Sequence, residues 1–119
     1  TTDIVKSLRH LLRADPHNQM ARDYLLCFHL LTKNLAGFLE DYAAQPGQPP
    51  KRLYAEALLI DLVRRKAPAS EIKQTIVDPR IMEDFKEYNR MYQQYKGNPA
   101  ALSARFGKTY WFYFHQATF

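Results

Sequence analysis

The sequence predicts an all-α fold, built as a stack of antiparallel helical hairpins with about seven or eight helices, several of them short. Apolar residues recur at helical spacing along most of the chain, and Asp-Pro, Asn-Pro and glycine signals separate these stretches. Glycine is scarce at four residues, and runs of β-branched residues are few, which favours helix over sheet. The length of 119 residues suits one domain, so we expect a single helical domain over residues 1–119.

The first helix is predicted from Asp3, which can cap it, to about Ala14. Its apolar positions form a stripe at helical spacing. The helix stops at Asp15-Pro16, because the residue before a proline avoids the α region. Asn18 is then the expected N-cap of the second helix.

The second helix, which we expect to reach about Lys33, carries apolar side chains almost all the way round. Only a thin strip is polar, and it consists of Arg22, His29 and Lys33. A helix with so little polar surface has to be covered on two sides, so we predict that it is central. Cys27, the only cysteine, lies in an apolar run and is expected to be buried as a small hydrophobic residue.

Asn34 is predicted to cap a short third helix from Leu35 to Ala43. Residues 45–50, rich in proline and glutamine, are the clearest loop of the chain. We interpret this loop as a turn between helices rather than a linker between domains. The reason is that the chain on either side is too short for a stable core of its own.

A fourth helix is predicted over residues 51–66. It contains two pairs of opposite charges four residues apart, Arg52 with Glu56 and Asp61 with Arg65. Such spacing places both members of a pair on the same side of a helix, and we expect both pairs to be surface ion pairs.

The remaining helices are predicted from their start and stop signals. A serine, or a polar residue followed by proline, starts each of the next three helices, and glycine ends the longer ones. The predicted helices are a fifth from Ser70 to about Val77, a sixth from Asp78-Pro79 to Gly97, and a seventh from Asn98-Pro99 to Phe106. The tail over residues 108–115 is predicted to be helical as well, since the rest of the chain is helical and no partner strand is visible.

The aromatic run in this tail is the most unusual feature of the sequence. Tyr110, Trp111, Tyr113 and His115 form a candidate interaction surface, because tryptophan and tyrosine dominate binding hot spots. Alternatively, the terminal helix docks its rings over the core, since aromatic side chains left in water promote aggregation. A third interpretation places the four residues around a small-molecule pocket.

No catalytic or metal-binding motif occurs in the sequence. The four histidines are isolated from one another, and none is spaced for joint metal ligation. Acidic residues are adjacent at 40–41 and at 83–84. The two side chains of each pair point about 100° apart on a helix, so their spacing alone does not make either pair an acid–base pair. We therefore predict that the chain is not an enzyme and holds no cofactor or metal.

The net charge of +5 and the pI of about 9.4 are basic, but the cations are scattered. Tyrosines of the sixth helix could stack on bases beside Lys86 and Arg90. Acidic side chains at 83, 84 and 87 share that face and would repel phosphate, so nucleic acid is not an expected partner. No segment reaches the ~18 apolar residues of a membrane span.

Residues 15–44 resemble one tetratricopeptide-type repeat, which is a helical hairpin of about 34 residues. The junction Asp15-Pro16-His17-Asn18 and the turn at 33–35 carry this resemblance. The glycine usual in the middle of the first helix is absent, and Gly37 stands where the second helix usually has alanine. The resemblance implies hairpin packing rather than a counted array of repeats.

Three further blocks carry a second resemblance. They are residues 22–26 with 30–35, residues 54–59, and residues 98–102 with 106–113. These blocks are similar to the C-terminal region of an uncharacterised Bacteroidetes family of multi-pass membrane proteins. The resemblance implies that the chain is a soluble tail of a longer membrane protein, which fits a start at Thr1 rather than methionine. It implies no activity, and it implies membrane attachment only through segments outside this chain.

Together these observations predict a non-enzymatic helical interaction or scaffold module. Its groove would lie between hairpins, and its partner would be a peptide, another protein or the rest of its own chain. The alternative is a small-molecule-binding or enzymatic domain that uses the C-terminal aromatic cluster.

Overall fold

The computed structural model describes residues 3–44 and 51–116. Within these residues the chain forms eight α-helices and no strand, which confirms the all-α prediction. The helices are α1 (Asp3–Ala14), α2 (Gln19–Leu31), α3 (Leu35–Ala43), α4 (Arg52–Arg64), α5 (Ala69–Thr75), α6 (Pro79–Gln94), α7 (Pro99–Phe106) and α8 (Tyr110–Gln116). The loop predicted at 45–50 and both chain ends lie outside the described residues.

The chain divides into two compact units, residues 1–49 (unit 1) and residues 50–119 (unit 2). Of the described helices, unit 1 holds α1 to α3 and unit 2 holds α4 to α8. The division falls within the loop that the sequence predicts. Organisation as a single domain stays a prediction, as does stacking of the tetratricopeptide type.

Polar side chains start four of the described helices at the predicted residues. Each accepts hydrogen bonds from N–H groups of the first turn, which have no partner inside the helix. These N-caps are Asn18, Asn34, Asp78 and Asn98. Helix α5 starts earlier than predicted, because Pro68 rather than Ser70 is its N-cap residue, and it makes no side-chain cap bond.

Unit 1 is organised around α2, which contacts both α1 and α3. This arrangement confirms the central position predicted for that helix among the helices of its unit. Val5 and Leu8 of α1 form a buried core with Ala21 and Leu25 of α2. Phe38 of α3 is fully buried.

Two of the three residues of the predicted polar strip, Arg22 and His29, lie on the buried side of α2, and the third, Lys33, is half-buried beyond the end of the helix. Arg22 and His29 are 5% and 2% exposed, whereas Tyr24 and Leu31 are 54% and 59% exposed. Cys27 is also exposed, so the prediction of its burial is wrong. The physical reason is that the polar side chains of α2 find partners on α3, and a partnered polar group is buried at little cost.

Unit 2 is organised around α4 and α6, which contact each other. Helix α8 packs against α4 and α7, and α6 also contacts α7. Almost every residue between Tyr54 and Leu62 is buried. The largest fully buried side chains of this unit are Trp111 and Tyr88.

Helices α2, α4 and α6 end in the same way, on a lysine in the left-handed region. The φ angles of Lys33, Lys66 and Lys96 are 57°, 55° and 53°. The residue after each lysine donates its N–H back to the helix, as Asn34 N does to His29 O at 2.8 Å. This is the Schellman arrangement, in which glycine is the usual residue because it has no Cβ.

Candidate functional site

All three helices of unit 1 contribute to a cleft of about 480 Å³, which we call the α1–α3 cleft. Its lining combines apolar side chains with three arginines and two carboxylates. The lining residues are Arg9, Leu12, Arg13, Pro16, Arg22, Leu25, Leu26, Glu40, Asp41 and Ala44. Apolar walls with a few charged groups are typical of binding sites.

Asp41 of α3 binds two neighbours from the other helices. Arg9 of α1 donates from Nε to one carboxylate oxygen and from Nη2 to the other, each at 3.0 Å. His29 Nε2 lies 2.6 Å from Oδ2 of the same carboxylate. The hydrogen bond from Arg9 to Asp41 raises the pKa of the guanidinium, so Arg9 stays positively charged.

The imidazole of His29 is engaged on both nitrogens. Its Nε2–H donates to the acceptor-only carboxylate of Asp41, so Nδ1 accepts from Asn34 Nδ2 at 3.3 Å. The side chain is almost completely buried. His29 is therefore a structural link between α2 and α3, and this arrangement leaves it no nitrogen to act as a general base.

Arg22 lines the same cleft but is held differently. The residue is only 5% exposed, and its guanidinium carbon lies 5.3 Å from the centre of the Tyr42 ring. Within residues 3–44 and 51–116, its Nε has no hydrogen-bond partner. Burial raises the pKa of Tyr42, so the ring stays neutral beside the cation. A buried charge that lacks a hydrogen-bonded counter-ion is costly, which singles out Arg22.

The two carboxylates of the cleft both face Arg9. Glu40 Oε2 lies 3.7 Å from Arg9 Nη2, and Asp41 binds the same guanidinium. Arg13, which is exposed on α1, adds a second cation to the lining besides Arg22. The cleft therefore carries more positive charge than its own carboxylates balance.

A second surface of unit 1 is an apolar strip on the outside of α2. Met20, Tyr24, Cys27 and Leu31 follow one another at intervals of four, three and four residues, and all are exposed. With Asp23 and Phe28 they line a shallow hollow. We call these residues the α2 strip.

The C-terminal aromatic residues do not share one surface. Trp111 and Tyr110 are 0% and 5% exposed and belong to the core of unit 2. The indole Nε1 of Trp111 donates to Glu56 O at 2.9 Å, and its ring lies 5.0 Å from that of Phe85. Tyr113 is partly buried, and among the four candidate residues only His115 is exposed.

Glu56 holds the start of α8 in place. Its Oε1 accepts from Tyr110 N at 2.8 Å, and its Oε2 accepts from Arg52 Nε at 2.8 Å. Arg52 also donates to Asp84 at 2.9 Å. Glu56 is 4% exposed, so the surface position predicted for the Arg52–Glu56 pair is wrong. The partner that draws this carboxylate inward lies 54 residues further along the chain, where no local pattern reveals it.

His115 is tied to the core through Tyr88. The Tyr88 hydroxyl donates to Trp111 O at 3.2 Å and lies 2.8 Å from His115 Nδ1, which donates to it. Burial raises the pKa of Tyr88, so the phenol keeps the proton that it donates. This arrangement links α6 to α8 and provides no activated nucleophile.

Two further observations concern the described part of the chain. None of the eight helices combines the length and the apolar character that crossing a bilayer requires. Histidine, cysteine and carboxylate side chains nowhere gather in threes at metal-binding distances within residues 3–44 and 51–116.

The comparisons with known proteins match this chain to one family. The sequence profile of a family of unknown function, DUF6057, matches residues 1–117. No curated protein and no solved structure matches the chain. The profile covers both compact units and the cleft described above. The chain therefore belongs to the family of unknown function DUF6057.

Proposed function

We propose that this chain is a non-enzymatic helical interaction module that binds a peptide segment of another protein in the α1–α3 cleft. The observation that carries the proposal is the cleft itself, which three helices build from apolar walls and partly unbalanced arginines. A segment with apolar and acidic side chains complements such a lining.

The chemistry of the cleft supports binding rather than catalysis. Asp41 is occupied by Arg9 and His29, and both nitrogens of His29 have partners. These groups lock the helices in place, and a preorganised wall reduces the entropy cost of binding a flexible segment. The alternative function, a small-molecule site on the aromatic tail, is less well supported because Tyr110 and Trp111 form part of a core.

Selection from a random peptide library displayed on phage tests this proposal with the full chain as bait. Ala44 lines the cleft and is exposed, so Ala44→Trp fills the space that a peptide would occupy. Ala43 is exposed as well but is not part of the lining, so Ala43→Trp is the matched control. We expect selected peptides to lose at least about tenfold in affinity on Ala44→Trp, equivalent to about 1.4 kcal/mol, and to bind Ala43→Trp unchanged.

Two results would contradict the proposal. One is a selection that enriches no peptide. The other is a set of peptides that bind both variants equally, because their site would then lie elsewhere on the molecule.

We further propose that the chain is the extramembrane tail of a longer membrane protein. The support is the resemblance of three blocks to such a family, namely residues 22–26 with 30–35, residues 54–59, and residues 98–102 with 106–113. The open reading frame that encodes this chain tests the idea. We expect it to contain apolar spans of about 20 residues outside residues 1–119, and a frame without them contradicts the proposal.

A further inference from the structure

Among the described side chains of unit 1, Arg22 carries the buried polar atom that has no hydrogen-bond partner. A guanidinium has five N–H donors and no acceptor, and it cannot lose its charge by deprotonation. Among the described residues, Nε of Arg22 has no hydrogen-bond partner, although the residue is 95% removed from solvent, being 5% exposed. A buried charge of this kind is stabilised by an anion that hydrogen-bonds to it.

Glu40 and Asp41, the two carboxylates that line the cleft with Arg22, both lie next to Arg9. The Arg9–Asp41 pair is bidentate, which is the strongest form of this contact and the least open to exchange. A molecule that enters the cleft can therefore supply a counter-ion for Arg22.

We propose that Arg22, together with Arg13 on the same cleft, binds a carboxylate group of the ligand. The Tyr42 ring lies 5.3 Å from the guanidinium carbon of Arg22, and this cation–π contact helps to hold the guanidinium in the cleft, where its planar fork matches a carboxylate. Arg13 is exposed, and it adds a second cationic donor from α1. This carboxylate site rests on the proposed peptide binding in one respect only, the source of the carboxylate, which is an acidic side chain of the bound peptide.

Two-dimensional ¹H–¹⁵N NMR spectra that record the arginine Nε–H groups test the proposed carboxylate site in the intact chain. The probe is N-acetyl-glutamate amide, and N-acetyl-glutamine amide at the same ionic strength is its uncharged match. We expect the Nε–H signal of Arg22 to shift on titration with the first compound and to remain in place with the second. N-acetyl-alanine and succinate, titrated in parallel, distinguish a chain-terminal carboxylate and a free dicarboxylic acid from an acidic side chain.

Three variants complete the experiment. Arg22→Met removes the charge and leaves an unbranched apolar side chain, so we expect a higher thermal midpoint without ligand and no stabilisation by the glutamate probe. Arg13→Met should lower the affinity for the glutamate probe by about tenfold. It should leave the thermal midpoint without ligand unchanged, because Arg13 is exposed. Lys6→Met removes an exposed cation of α1 that does not line the cleft, and it should change the affinity by less than about twofold.

The outcomes separate this inference from the proposed function. A shift of Arg22 Nε–H by carboxylates supports the site even if no peptide is selected, and the proposed function then falls alone. The inference is overturned if no carboxylate shifts that signal, or if Arg22→Met and Lys6→Met bind the probe equally. Peptides that need the cleft but carry no carboxylate would likewise overturn it while the proposed function stands.

Discussion

At the scale of single residues, Asp41 is the side chain on which the arrangement of unit 1 depends. It accepts from Arg9 of α1 and from His29 of α2, and it is itself part of α3. His29 is then fixed at its other nitrogen by Asn34, which caps α3. Four side chains thus connect three helices through hydrogen bonds that are mostly shielded from water.

We predict that Asp41→Asn destabilises the protein by about 3 kcal/mol. The amide has the same shape, but its NH₂ group would face a donor of Arg9 or of His29, and the guanidinium would lose its counter-ion. Urea unfolding followed by circular dichroism measures the change. Glu40→Gln is the control, because that carboxylate is 74% exposed and 3.7 Å from Arg9, and should cost less than about 0.5 kcal/mol. Equal losses for both variants would contradict the special role of Asp41.

The positions of individual polar residues were the hardest to predict from the sequence. Arg22 and His29 look like a solvent-facing strip on an apolar helix, yet both are buried. Glu56 looks like half of a surface pair, yet it binds the backbone of Tyr110. In each case the deciding partner lies on another helix, and local spacing carries no information about it. One signal in the sequence does indicate that Arg22 and His29 are buried. They are among the few polar residues of a helix that is too apolar to have a solvent-exposed face.

At the scale of helices, three helices end on a residue whose backbone conformation is strained. Lys33, Lys66 and Lys96 adopt positive φ angles, where a Cβ atom is strained. Each lysine nevertheless brings a positive charge close to the negative end of a helix dipole. The protein therefore combines a favourable charge with an unfavourable backbone conformation at three helix ends.

We predict that Lys33→Gly raises the free energy of unfolding by about 0.5–1 kcal/mol, since glycine adopts φ near 57° without strain. Thermal unfolding measured by calorimetry provides the comparison. The matched variant Lys33→Ala removes the charge and keeps the Cβ, so it should not stabilise. If alanine and glycine behave alike, backbone strain at this helix end is not the cause.

Helix boundaries were predicted well because their signals are local. The starts of α2, α3, α6 and α7 follow from side chains that bond the N–H groups of the very next turn. The end of α1 follows from Asp15 preceding a proline. Helix α5 was predicted less well, since a proline with φ of −67° and extended ψ begins the turn before Ser70 is reached.

At the scale of the whole molecule, the all-α class was predictable because helical spacing pervades the chain. The candidate site was not, since it is built by residues that are distant in sequence and that look unrelated there. The cleft takes Leu12, Arg22 and Asp41 from three different helices. The aromatic tail is unusual in composition, but composition alone does not distinguish a core from an interface.

We predict that the whole protein loses stability between pH 10 and pH 12, because burial raises the pKa of Tyr88 and raises that of Tyr110 to about 12. An unfolded chain releases these phenolic protons near pH 10, whereas the folded chain retains them. The folded state therefore binds more protons in this interval, and the free energy of unfolding falls as the pH rises. The slope is about 1.4 kcal/mol per pH unit for each such tyrosine.

Urea midpoints measured across this interval, with tyrosinate absorbance as a second signal, give the slope. Tyr110→Phe removes one of the two groups and should make the loss shallower by one proton. Identical pH dependence in the variant and the parent would show that Tyr110 does not contribute.

The α2 strip has a practical consequence for spectroscopy. Cys27 stands midway along it and is exposed, and it is the only thiol in the sequence. A maleimide dye therefore attaches at one defined position without any engineered cysteine. Its emission reports on whatever approaches this side of the helix. By the same geometry, two molecules that meet through this side under oxidising conditions bring two sulfur atoms together, so preparations need a reductant to avoid crosslinked pairs.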